Sequence, residues 1–187
     1  VDGYIRRFCT SDQSENNFIY YVLGKKERHT LADYVTGVEE TSTNKIVLYS
    51  SAQTGKTTEL KQLCWELQQS GLYLPVSFEV RTNTKLKRDD LPESQYVDGR
   101  EVVLVIDALD EVNGQKYEDL LEEIGGYAYE HPEMKMVLSC RSNFRRERQL
   151  ELFTELFLEE LSIDDARDYA AKREVNSDRF MRSVFAN

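Results

Sequence analysis

Hydrophobic and polar positions follow several distinct periods along this chain of 187 residues. Ile46-Val47-Leu48-Tyr49, Val102-Val103-Leu104-Val105-Ile106 and Met134-Lys135-Met136-Val137-Leu138 are short, nearly unbroken apolar runs, the pattern of strands buried on both faces of a parallel sheet. Leu72, Leu74, Val76, Phe78 and Val80 alternate strictly with other residues, which predicts a strand over 72–80. Leu60, Leu63, Cys64 and Leu67 recur at helical spacing until Ser70-Gly71 stops them. Tyr117, Leu120, Leu121, Ile124 and Ala128 mark a second helix, loosened by Gly125-Gly126 and ended by His131-Pro132. Thr30 with Asp33 predicts a capped short helix from Leu31. Leu152–Leu161 reads as a last strand, and Ser162-Ile163-Asp164-Asp165 as the cap of a helix with Ile163, Ala166 and Ala170 facing inward.

Strands and helices therefore alternate, which predicts a three-layer α/β domain with a parallel sheet. The polar stretch 81–100, with Lys85, Lys87, Arg88, Asp89-Asp90 and Pro92, is short for a crossover between parallel strands. The run Phe18–Leu23 suits a strand or a short helix equally, and residues 176–187 begin a further helix. No internal repeat or low-complexity segment is visible.

Composition narrows the functional classes. A net charge of −10 argues against a broad basic face for nucleic acid, yet leaves room for a nucleotide, whose site needs only local cations. No apolar run is long enough to span a bilayer. Cys9, Cys64 and Cys140 lack metal-ligand spacing and read as reduced cytosolic thiols, with Cys64 and Cys140 as small core residues. His29 and His131 are isolated and read as surface or loop residues. The chain opens on Val1 rather than Met, which suggests a piece of a longer protein.

Candidate chemistry gathers at the carboxyl ends of the predicted strands, where open α/β sheets bind ligands. Ser51-Ala52-Gln53-Thr54-Gly55-Lys56-Thr57-Thr58 joins an apolar strand to an amphipathic helix, the order of a phosphate-binding loop. Its backbone N–H groups and the helix N-terminus attract phosphate, Lys56 would neutralise it, and the Thr57 hydroxyl would ligate Mg²⁺. Ser50 stands where the full pattern has glycine. Asp107 closes the most apolar strand and is the candidate second Mg²⁺ ligand, against the plainer reading of a turn residue. Glu111 and, behind it, Asp110 are candidates for activating water; an acidic pair favoured by a helix N-terminus is the alternative. Arg141 either reaches a γ-phosphate or forms a salt bridge at the acidic edge. Arg145, Arg146 and Arg148 read as a solvated face.

Asp107-Ala108-Leu109-Asp110-Glu111 resembles the Walker B segment of NACHT-type NTPases, members of the STAND group within the AAA+-like P-loop proteins. Leu138-Ser139-Cys140-Arg141-Ser142 is similar to that family's sensor strand. Tyr4-Ile5-Arg6 resembles the segment that lies against adenine, and Leu161–Ala166 the beginning of the helical lid. The resemblance implies a P-loop NTPase core over 31–161, an N-terminal segment near the nucleotide base over 1–30, and a truncated lid over 162–187. It further implies an ATP/ADP switch with Mg²⁺, joined to further domains of one longer chain, that self-assembles on activation in roles such as bacterial antiphage defence or animal innate immunity. A cytoplasmic setting follows, without direct nucleic-acid or membrane binding by this piece. Two other functions suit the same loop: a nucleotide-binding scaffold that does not hydrolyse, and a small-molecule kinase for which the Arg145–Arg148 cluster would contact phosphate.

Overall fold

The computed structural model describes residues 4–11, 28–37, 43–52, 54–80, 88–112, 114–145 and 150–172. The run Phe18–Leu23, Gln53, Lys85, Lys87, Arg146, Arg148 and the tail 176–187 lie outside the described residues. The fold is mixed α/β, a multi-stranded sheet with several helices. In chain order the elements are β1 (Cys9–Thr10), α1 (Leu31–Thr36), β2 (Lys45–Ser50), α2 (Lys56–Ser70), β3 (Tyr73–Glu79), β4 (Tyr96–Val97), β5 (Arg100–Asp107), α3 (Gln115–Glu130), β6 (Lys135–Arg141), β7 (Thr154–Leu158) and α4 (Ile163–Lys172).

The sheet runs β1-β7-β2-β6-β5-β3, with β4 paired to β5. β7, β2, β6, β5 and β3 are mutually parallel, whereas β1 and β4 pair antiparallel. Alternating side chains feed two cores. Val47, Tyr49, Leu104, Ile106 and Leu138 pack with Leu120, Leu121, Ile124 and Ala128 of α3. Ile46, Leu48, Val103, Val105 and Val137 pack with Leu60, Leu63 and Leu67 of α2 and with Leu31 and Val35 of α1. Period-two alternation across strands that are apolar on both faces therefore requires helices on both sides. No described helix is long and apolar enough to cross a membrane.

Several local expectations need correction. Leu72 precedes β3 and is 68% exposed, because the strand begins only where Tyr73 pairs with Glu101. Ile163 is also exposed; Ala166 and Ala170 define the buried stripe of α4, and Ile163 falls on its margin. Cys64 is half-buried, while Cys9 joins Cys140 in the interior. The link before β5 contains a hairpin: Asp98 (φ 50°) and Gly99 (φ 75°) turn β4 back onto β5, the left-handed pair that an Asp-Gly turn supplies.

α3 continues unbroken through Gly125-Gly126 to Glu130. Burial of Ile124, Tyr127 and Ala128 outweighs a propensity cost of about 1 kcal/mol per glycine. A Cβ added at Gly126 would meet nothing within 4 Å. Gly126→Ala should therefore raise the free energy of unfolding by about 0.5–1 kcal/mol, read from the urea midpoint. A lower midpoint would mean that this turn of α3 needs the glycine for packing.

Candidate functional site

β2, β6 and β5 lie side by side, and their carboxyl ends deliver the loop after Ser50, Arg141, and Asp107 with its acidic turn to one edge. Ser50 is in register with Arg141. The loop between Ser50 and Lys56 is closed from within. The Thr54 hydroxyl donates to Ser50 Oγ at 2.6 Å and lies 2.8 Å from the Ser51 carbonyl, while Ser50 Oγ is 3.1 Å from that same carbonyl. Ser50, the departure from a glycine pattern, is thus a buried hydroxyl that latches the loop. Gly55, at φ 91°, occupies a conformation that side chains rarely adopt, and it caps α2. Its carbonyl accepts the first helical bond, from Glu59 N at 2.9 Å. Ser51, Ala52, Thr57 and Thr58 are exposed and Lys56 is half-buried. Among the described residues Lys56 pairs with no carboxylate.

Three carboxylates, Asp107, Asp110 and Glu111, stand at and after the end of β5 in different environments. Asp107 accepts a hydrogen bond from the Ser139 hydroxyl of β6, and Ser139 Oγ in turn accepts from Ala108 N at 3.0 Å. That bond holds Ala108 in the left-handed region, φ 67°, which a small residue tolerates best. Leu109, fully buried, then anchors a 3-10 turn over Leu109–Glu111. Asp110 is enclosed: Arg141 N donates to Oδ1 at 3.0 Å, and Arg141 Nε forms an ion pair with Oδ2 at 2.7 Å. Its side chain is 3% exposed against 43% for Arg141, so this is a half-buried ion pair at the end of two strands. The salt bridge anticipated for Arg141 exists, with Nε 2.7 Å from the carboxylate. Glu111 is exposed. Beneath Arg141, burial pushes the Cys140 thiol up to about 11 despite the Tyr117 hydroxyl beside it.

The N-terminal segment lies against the loop. Tyr4 Oη donates to Glu59 Oε2 at 2.6 Å and accepts from Arg7 N at 3.2 Å. Burial raises the Glu59 carboxyl above its ordinary value, while Tyr4 and Arg7 pull it back. Arg7 Nη1 donates to the Thr54 carbonyl at 2.7 Å, and Nη2 donates to the Glu159 carbonyl. Ile5 is half-buried, whereas Arg6 is exposed. Of the adjacent arginines, then, Arg7 rather than Arg6 touches the loop; nothing local in Arg6-Arg7 distinguishes them. Arg28 extends the network, bonding the Glu159 carboxylate at 2.8 Å and Asp165 at 3.0 Å, with Phe8 beneath its guanidinium. Burial alone would raise the Asp165 carboxyl, but hydrogen bonds from Arg28 and Ser162 outweigh it and hold the group below its ordinary value.

Sequence reasoning named the loop, Asp107, Asp110, Glu111 and Arg141, and the fold brings their elements to one edge. It assigned no role to Arg7, Glu59, Ser139 or Glu159, whose roles arise across at least 31 residues of separation. Arg145, the described member of the arginine cluster, pairs with Glu155 on β7. No family model matches the chain, and no curated protein matches it significantly in sequence.

Ser139→Ala would leave Asp107 and Ala108 N without their shared partner in a fully buried position. It should lower the free energy of unfolding by about 1–3 kcal/mol, the cost of orphaned buried polar groups. Equilibrium urea unfolding reads this directly, and an unchanged midpoint would show that both groups find other partners.

Proposed function

We propose that the chain is the ATP-binding and slowly hydrolysing module of a NACHT/STAND-type switch protein. One observation carries the reading: adjacent strand ends bring a glycine-turned loop with Lys56, an arginine and a graded set of carboxylates to a single edge. Phosphates would sit on the N–H groups at the start of α2, with Lys56 neutralising their charge. Among the described residues no three His, Cys, Asp or Glu side chains gather as an all-protein metal cage. Mg²⁺ needs none, since it is commonly held by one or two protein oxygens and by phosphate. Thr57 and Asp107 fit that role, and the ion would spread charge from the β- and γ-phosphates.

Within this reading the acidic residues divide their work. Asp110, with both oxygens engaged by Arg141, orients the guanidinium and leaves its terminal amino groups for a γ-phosphate. Glu111, the exposed carboxylate, orients or deprotonates the attacking water. A kinase is less well supported, because Arg145 is tied to Glu155 instead of being available to an acceptor site. The segment 162–172 serves as the start of a lid, attached through Arg28 to the end of β7.

Lys56→Ala should abolish most ATP and ADP affinity while leaving the unfolding midpoint nearly unchanged, since phosphate would be the ammonium's main partner. Isothermal titration on the folded variant measures this, and unaltered affinity would make the loop a plain strand-to-helix connection. Glu111→Gln should bind ATP normally and hydrolyse it at least about tenfold more slowly in single turnover, the scale of a lost general base. Equal rates in the two proteins would favour the non-hydrolysing scaffold.

A further inference from the structure

We infer that Arg7 is a positioning residue for the phosphate loop, holding the Thr54–Gly55 peptide in the orientation that nucleotide binding requires; this rests on the nucleotide reading above. The Thr54 carbonyl and the Gly55 N–H belong to one planar trans peptide, so they point in opposite directions. Arg7 Nη1 takes the carbonyl at 2.7 Å, and an added Cβ at Gly55 would lie 3.6 Å from the same nitrogen. Fixing the oxygen toward Arg7 fixes the Gly55 N–H toward the opposite side. This restraint matters because a peptide next to glycine rotates at little steric cost, and Gly55 already sits at φ 91°.

Arg7 is itself held at two further points, one of them braced in turn. Its backbone N–H donates to Tyr4 Oη, its second amino group donates to the Glu159 carbonyl, and Tyr4 is bolted to Glu59 on the first turn of α2. The fork matters more than the charge. A planar guanidinium reaches the two carbonyls from two separate amino groups at a set separation, whereas an ammonium has to bond both from one nitrogen. From the other side, Thr54 is held by its hydroxyl at Ser50 and Ser51. The peptide is thus gripped from outside by Arg7 and from inside by the loop's own hydroxyls.

The test uses Arg7→Ala and Arg7→Lys, the latter keeping the charge and the aliphatic stem. Both variants should lose ATP and ADP affinity alike by about tenfold, the scale of one hydrogen bond to a charged group. In nucleotide-free protein, the Gly55 amide resonance in NMR should shift and broaden in both variants as the peptide samples two orientations. If Arg7→Lys binds like wild type, Arg7 acts as a bare charge and the inference fails. A Gly55 amide unchanged in Arg7→Ala overturns it equally. Wild-type protein that binds neither nucleotide would sink the functional reading alone, and the nucleotide-free Gly55 signal would still decide what Arg7 does to the loop.

Discussion

Ser139 and Arg141, two positions apart on β6, hold two of the three carboxylates at the end of β5. Buried polar groups need partners, and a parallel strand end exposes backbone groups just where the chain must turn away. Here one strand supplies the partners for its neighbour's turn. Ser139 pairs with Asp107 and with Ala108 N, which stabilises the left-handed residue that redirects the chain. Arg141 encloses Asp110 and so sets the next turn. The acidic turn therefore has its geometry only when β5 and β6 are adjacent, and the edge carrying the candidate site is inseparable from the order of the strands.

The same economy governs the loop after β2. Where a glycine would leave space, Ser50 contributes a hydroxyl that closes the loop through Thr54. Among the described residues of the loop, Gly55 supplies the positive φ. The N-terminal segment then covers the loop's outer side, joining Tyr4 to Glu59 and Arg7 to Thr54 and Glu159. Continuing through Arg28 to Asp165, charged groups link the loop, the end of β7 and the first turn of α4. Isolated surface pairs contribute little energy, but a connected and partly buried set constrains the geometry of the segments it joins.

Such a network gives the proposed phosphate-binding edge two kinds of residue. In the proposed reading some would face a ligand: Lys56, the N–H groups at the start of α2, the terminal amino groups of Arg141 and the exposed Glu111. Others never need to touch one and act by holding the first group in place, as Ser139, Asp110, Tyr4 and Arg7 do. Mutational effects at the second group would travel through stability and geometry as well as through affinity, so folding and binding have to be measured together there.

The elements were legible in the sequence because burial and local chemistry act over short stretches. Apolar runs named β2, β5 and β6, helical spacing named α2 and α3, and Thr30 with Asp33 announced the capping box of α1, with Asp33 N to Thr30 Oγ1 at 3.2 Å. Gly55-Lys56-Thr57 and the acidic turn from Asp107 were legible for the same reason: each is a local backbone device. The hairpin at Asp98-Gly99 was written just as locally but hidden in a polar stretch. What only the tertiary structure decided was partnership. That Asp110 pairs with Arg141, that Arg7 rather than Arg6 meets the loop, and that the Ser50 hydroxyl bonds Thr54 all depend on atoms brought together by the fold. Local propensity carries no record of which strand end will stand beside which.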